Sequence, residues 1–144
     1  MDQLVTKGSF RVLSVPLLLA LLGGCAGPRS HEGKDWTQVP ITDVHMVAGD
    51  WVGSVKKQAA LLAEGSVRLI ILENSTYVFA GQTTSMAAAG AGPLKVRDGR
   101  LIGDTDRRAM SISLYDHQGQ PILAVEATNH ETGDHFRGDF TKLP

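Results

Sequence analysis

The stretch VRLIILENSTYVFA, residues 67–80, contains two apolar runs separated by the turn-forming pair Asn74-Ser75. Both runs are rich in β-branched and aromatic residues, which favour strands. Two such runs joined by a tight turn predict an antiparallel β-hairpin. This hairpin decides the fold class, because the segments on either side of it have the same character.

Short apolar segments separated by glycine-containing turns continue before and after the hairpin. They lie at residues 51–55, 94–97, 100–103, 110–114, 121–127 and 135–140. In the segment 110–114 the apolar residues alternate with serines, as in a strand that buries one face. Successive strands joined by short turns form a meander, which closes to remove exposed edges. The sequence therefore predicts an all-β domain, an antiparallel meander of about eight strands in a small barrel or a barrel-like sandwich.

Two connections interrupt this pattern of strands. Lys57 to Glu64 predicts one short helix, which would cover the outward-facing side chains of Ile70 and Leu72. Gly81 to Gly92 consists of small residues and predicts a flexible loop.

The N-terminus carries the features of an export signal. Lys7 and Arg11 give a weakly positive start, and Val12–Leu22 is apolar. An apolar run of this length is too short to span a bilayer as a helix, which needs about 20 residues. It fits the apolar core of a signal peptide, so a signal helix is predicted within residues 1–24.

The residues Leu22-Gly23-Gly24-Cys25 resemble the lipobox of bacterial lipoproteins, and Cys25 is the single cysteine of the chain. The resemblance implies that the Cys25 thiol receives a diacylglycerol and that signal peptidase II cuts before this residue. Ala26 follows Cys25 where an aspartate would imply retention at the inner membrane. The lipoprotein would therefore lie at the periplasmic face of the outer membrane if the host has two membranes.

Three regions follow from this interpretation of the chain. Residues 1–24 are the signal peptide, residues 25–35 are the lipidated cysteine with a flexible polar tether, and residues 36–144 are one β domain. The alternatives are an ordinary signal peptide with an incidental cysteine, or an uncleaved apolar helix. Acylation of Cys25 would make a membrane the first partner of the protein.

The charge balance argues against nucleic acid as a partner. The whole chain has 14 Lys and Arg against 15 Asp and Glu. Lys7, Arg11 and Asp2 lie in the signal segment, which leaves 12 basic and 14 acidic residues in the mature chain. Binding to phosphates normally requires a basic surplus.

The sequence predicts no catalytic residue, no metal site and no cofactor. Neither a Gly-x-Ser-x-Gly elbow nor a glycine-rich phosphate loop occurs. His130 and His135 flank a turn with Glu131 and Asp134, and these residue types bind zinc or copper, although such turns also collect polar residues for solvation alone. The mixed charges at residues 104–108 indicate a solvated turn.

Gly49-Asp50-Trp51 resembles the Gly-x-Trp signature of lipocalin-like (calycin) barrels, over about residues 48–142. The resemblance implies that Trp51 closes one end of the barrel. Trp51 would be equally well explained as a large core residue.

Two functional hypotheses remain open from the sequence. One is a lipid-anchored module that holds a small apolar ligand inside the barrel. Its interior would be lined by Leu69, Ile71, Phe79, Ile112, Val125 and Phe136. The other is a structural or accessory lipoprotein with a filled core, which acts through contacts with an envelope protein and exposes an apolar patch.

Overall fold

An antiparallel sheet forms almost all of the part of the chain that the structure describes, which is residues 35–58, 65–83 and 87–144 of a computed structural model. The strands are β1 (Thr37–Val39), β2 (Gly49–Lys57), β3 (Gly65–Leu72), β4 (Thr76–Thr83), β5 (Ala87–Pro93), β6 (Lys95–Arg97), β7 (Arg100–Thr105), β8 (Arg108–His117), β9 (Gln120–Asn129) and β10 (His135–Lys142). One 3-10 turn, Val44–Met46, precedes β2. Within these residues no helix has the length and apolar character that crossing a membrane requires. The signal segment and Cys25 lie outside the described residues.

The strands follow one another around a barrel-like sheet. Their order is β5-β4-β3-β2-β10-β9-β8-β7-β6, so nine strands form a meander whose first and last members, β2 and β10, pair with each other. β1 pairs with the end of β8 beside β7. The predicted all-β, barrel-like meander is confirmed, with nine strands in the barrel and β1 beside it.

A seam without ladder hydrogen bonds separates the two edges of the sheet. Leu94 alone connects the edge strands β5 and β6, so the sheet must curve until these edges face each other. A Cβ atom on Gly92 would lie 3.0 Å from Thr105 Cγ2, so β5 packs closely against β7 across the seam. Side-chain contacts therefore complete a barrel that its hydrogen bonds leave open along one line.

The hairpin that the sequence predicts at residues 67–80 is present as β3 and β4. Leu69 pairs with Phe79 and Ile71 pairs with Tyr77, which places these four side chains on one face. Ser75 adopts a positive φ of 60° in the turn, and its N–H donates to Leu72 O at 3.1 Å. The hairpin is the centre of the β2–β5 half of the barrel.

The predicted loop at Gly81–Gly92 is wrong for most of its length. β4 continues to Thr83 and Ala87–Pro93 forms β5, while residues 84–86 lie outside the described part. Gly90 pairs with Phe79, and a Cβ atom at Gly90 would lie 2.6 Å from Phe79 Cε1. The glycines of β5 allow close packing against aromatic rings. A segment rich in glycine and alanine has the composition of a loop, so composition alone does not reveal this strand.

The predicted helix from Lys57 to Glu64 does not begin at Lys57. That residue ends β2, pairs with Phe136 and forms an ion pair with Asp134. Gln58 N–H extends this pairing by donating to His135 O at 2.8 Å. Residues 59–64, where the rest of the predicted helix falls, lie outside the described residues.

One end of the barrel, here called the closed end, is filled by side chains from the segment before β2. Ile41, Val44 and Val47 are buried there beside Trp51, which is 1% exposed. Asp43 caps the 3-10 turn by accepting a hydrogen bond from His45 N at 2.8 Å. The apolar segment thus forms a plug over the core.

Candidate ligand site at the open end of the barrel

At the opposite end, the described residues are the end of β2 at Lys57 and the β7–β8 and β9–β10 turns, and none of them forms a plug like that of Ile41–Val47. This end is here called the open end; the β2–β3 and β4–β5 connections, residues 59–64 and 84–86, also belong to it and lie outside the described residues. Phe136 and Ala127 face the interior at this end. Paired residues lie on the same face of a sheet, and Phe136 pairs with Ala127, which in turn pairs with the core residue Met110. Phe136 and Ala127 are only half-buried, as is Phe79. The barrel interior therefore has a fully packed half and a partly exposed half.

The six interior residues predicted from the sequence do not lie in one place. Leu69, Ile71, Ile112 and Val125 belong to one buried cluster, and Phe79 packs against it. Phe136 lies apart from this cluster, half-buried near the rim of the open end. Five of the six are brought together by the fold, and a role in ligand binding stays a prediction for all of them.

The closed half has no space for a ligand beside Phe140. A Cβ atom on Gly53 would lie 2.7 Å from Phe140 Cγ, and one on Gly138 would lie 2.8 Å from Phe140 Cε2. The Phe140 ring thus occupies the volume that these two glycines leave free. Leu69 and Ile71 belong to this packed half together with Trp51, with which Leu69 pairs.

Arg108 points into the open half. It is the first residue of β8 and shares a face with Met110 and Ile112, which are both in the core. Its Cζ lies 4.4 Å from the centroid of the Phe79 ring, which is within the range of a cation–π contact. The sequence-based prediction of a solvated turn at residues 104–108 therefore does not hold for Arg108.

The signal for Arg108 was present in the sequence. The alternation of Met110, Ile112 and Leu114 extends backwards by one step to position 108. The neighbouring charged residues Asp106 and Arg107 make Arg108 look like part of the turn, and both of them are exposed there. Sequence reasoning could have found Arg108 by following the strand period into the turn.

A second cation at the open end has its own partner. Lys57 Nζ lies 2.7 Å from Asp134 Oδ1. The hydrogen bond from Lys57 lowers the pKa of Asp134 below its ordinary value, with a further contribution from Thr132. This pair links the end of β2 to the β9–β10 turn.

The two histidines of that turn bind different partners. His135 Nδ1 lies 2.9 Å from Thr128 Oγ1, and His130 Nδ1 lies 3.3 Å from Asp106 O. The described residues contain no group of three or more His, Cys, Asp and Glu side chains that could hold a metal ion.

A groove of about 480 Å³ lies on the outer surface of β7–β10. Its outward-facing residues include Ser111, Glu126 and Arg137, whose neighbours along each strand point into the barrel. Arg137 Nη2 donates to Glu126 Oε1 at 2.7 Å, so the charges on this wall neutralise each other. The groove is therefore lined by both polar and apolar residues, and Met110, Ala127 and Phe136 contribute to it as well as to the open end.

The open end combines an apolar surface with one inward guanidinium, an arrangement suited to holding a small molecule by burial and by charge. No family model, curated protein or solved structure matches this chain.

Proposed function

We propose that the protein is an exported, lipid-anchored component of the cell envelope that holds a small apolar or amphipathic ligand in the open end of its barrel. The observation that carries this proposal is the contrast between the two halves of the interior. Trp51 and Phe140 fill one half, whereas Phe79 and Phe136 face inward in the other half and stay half-buried. Apolar aromatic surface that faces inward at an open end favours an apolar ligand.

The anchor is supported by the sequence pattern around Cys25. The lipobox-like residues Leu22-Gly23-Gly24 precede it, and β1 begins at Thr37. The tether of residues 26–35 spans at most about 35 Å when fully extended, at roughly 3.5 Å per residue. A domain tethered in this way would stay near the membrane surface, where apolar and amphipathic ligands are available.

Native mass spectrometry on residues 26–144, exported to the periplasm without the anchor and purified gently, tests the proposal. We expect a small molecule at stoichiometric occupancy, and we expect Phe136→Ala to lower that occupancy. Val78→Ala is the matched control, because Val78 is exposed on the outer face of β4. A clean apo mass for the unmodified domain would contradict ligand binding.

A second candidate function is that of an accessory lipoprotein that contacts another envelope protein. It is favoured by the outer face of β3–β5, where Leu72 is 42% exposed and Val78 is 40% exposed. The exposed residues Ala89 and Ala91 continue this face onto β5, and residues 74–94 contain no charged side chain. Exposed apolar patches of this kind mark contact surfaces.

Photo-crosslinking in intact cells separates the two candidates. A photoreactive side chain at position 78 should capture an envelope protein if the apolar face is a contact surface. The same side chain at position 56 is the control, because Lys56 is exposed on the outer face of β2. Equal capture from both positions would argue against the accessory function.

A further inference from the structure

The guanidinium of Arg108 lies inside the mouth of the barrel and not in solvent above it. A Cβ atom on Gly90 would point toward the interior, as Phe79 does, and would lie 2.6 Å from Arg108 Nη1. The guanidinium therefore occupies the space that the missing side chain at position 90 leaves free. Phe79 lies beneath it at 4.4 Å from Cζ, so β4 and β5 together hold the group in place.

Thr105 fixes the backbone from which Arg108 projects. Its hydroxyl accepts a hydrogen bond from Arg108 N at 3.2 Å and donates one to Arg108 O at the same distance. These two bonds pin the start of β8 to the end of β7, where the two residues are paired. The base of the Arg108 side chain is thus ordered, which reduces the entropy cost of binding through it.

The described residues supply no anion for this cation. Their Lys and Arg ion pairs join Lys57 with Asp134, Arg68 with Asp50, Arg97 with Asp98, and Arg137 with Glu126. Arg108 takes part in none of them, and no described oxygen accepts a hydrogen bond from its guanidinium. A guanidinium has five N–H donors in a planar fork that matches a carboxylate or a phosphate.

We propose that Arg108, held on Phe79 above Gly90, is an oxyanion-binding subsite, and that the ligand of the barrel is an amphipathic acid. Its carboxylate or phosphate group binds the guanidinium, and its apolar part lies against Phe136 and Met110. This inference rests on the proposed ligand-binding function and narrows it from an apolar ligand to an acidic one.

The other charged residues near the mouth support a negatively charged ligand. Lys57 is already neutralised by Asp134 at 2.7 Å, so this pair adds no net charge. Asp104 is exposed and pairs with Ala109, which places it on the outer face of the barrel and not beside the guanidinium. The inward-facing charge contributed by Arg108 is therefore positive and uncompensated within the described residues.

The test compares three ligands with the same tail and different headgroups. Octanoate, octyl phosphate and octanol are titrated calorimetrically into the full-length lipidated protein in zwitterionic nanodiscs, with empty nanodiscs as the blank. We expect at least one of the two acids to bind about 10-fold or more tightly than octanol, as a charge-assisted hydrogen bond provides. Preference for octanoate or for octyl phosphate identifies the headgroup.

Three variants assign this preference to Arg108. Arg108→Gln should bring the affinity of the preferred acid down to that of octanol and leave octanol binding unchanged. Gly90→Ala keeps the charge and should weaken acid binding as well, because the new Cβ displaces Nη1. Arg107→Gln is the matched control, since Arg107 is exposed in the turn and should leave all three affinities unchanged.

Octanol binding serves as the check that each variant is folded. Equal affinities for the three ligands, or equal effects of Arg107→Gln and Arg108→Gln, would overturn the subsite while leaving the proposed function intact. Binding of none of the three ligands to the unmodified protein would remove the proposed function and the subsite together.

Discussion

The indole N–H of Trp51 donates a hydrogen bond to the carbonyl oxygen of Val47 at 2.9 Å. This bond ties the first barrel strand to the plug at the closed end, and both residues are fully buried. Lys142 Nζ lies 5.5 Å from the Trp51 ring, so the last strand also contacts the same side chain. Trp51 therefore joins the beginning and the end of the meander.

Replacing Trp51 by Phe should destabilise the domain by about 1–3 kcal/mol, because the Val47 carbonyl would be buried without a donor. Trp51→Ala should cost more, about 3–5 kcal/mol, since it also leaves a cavity. Urea unfolding followed by circular dichroism measures both values. Trp36→Phe is the control at the other tryptophan, which is only half-buried, and an equal loss there would contradict a special role for Trp51.

Gly53→Ala should destabilise the protein by about 1–3 kcal/mol through overpacking. The added Cβ would lie 2.2 Å from the backbone oxygen of Asp139, and backbone in a paired strand cannot move aside cheaply. Ser54→Ala tests the adjacent, exposed position on the opposite face and should be close to neutral. Thermal unfolding of the two variants gives the comparison, and similar melting temperatures would show that the barrel is packed less tightly at this point.

Lys57→Met should remove a contribution to stability that depends on pH. The pKa of Asp134 is lowered in the folded state from its ordinary value of 3.8, with the Lys57 hydrogen bond as the largest cause. A lowered folded pKa gives stability that is present above the unfolded value and is lost as pH falls through the folded value. The stability difference between wild type and Lys57→Met should thus be present at neutral pH and vanish at acidic pH.

Melting temperatures measured from pH 7 down to pH 2 check this expectation. Lys56→Met is the matched control, because it removes the same charge from the exposed neighbouring position. If both variants lose stability in parallel across the pH range, the effect belongs to net charge and not to the ion pair.

Cys25→Ser should move the full-length protein out of the membrane fraction, because the thiol is the expected site of lipidation. Metabolic labelling with a palmitate analogue should be lost in the same variant. Ala26→Asp tests the sorting prediction, since it should keep the label and shift the protein to the inner membrane of a diderm host. Continued membrane association and labelling of Cys25→Ser would refute the anchor.

Strands in which apolar and polar residues alternate are predicted well from the sequence. The apolar face of Met110, Ile112 and Leu114 is buried, as a period of two requires. Ser113 and Tyr115 lie on the other face and are buried as well. Trp36 contributes to this cover, with its ring 5.9 Å from that of Tyr115, and no local pattern encodes a contact so distant in the sequence.

The two features that the sequence interpretation missed, strand β5 and the inward position of Arg108, have different causes. Strand β5 is built from alanine and glycine, whose intrinsic preferences oppose a strand, and the pairing with β4 overrides them. The charged residues around Arg108 indicate a turn, whereas its position in the alternation of β8 places its side chain in the interior. For β5 the deciding interaction comes from another strand, β4 with Phe79, and the local sequence does not show it. For Arg108 the period of two from Met110 to Leu114 does show the inward face, and only the contact with Phe79 comes from another strand.

Because of the seam between β5 and β7, the hydrogen-bond ladders do not run all the way around the barrel. A barrel that is fully closed by hydrogen bonds can widen only if a ladder between two strands breaks. Along this seam no ladder joins the described residues. Across this line Gly92 and Thr105 approach closely, so side-chain packing contributes to the width of the barrel there. Arg108 and Phe79 are in contact near the same line. The proposed ligand would therefore bind where the barrel can widen without the loss of ladder hydrogen bonds between described residues.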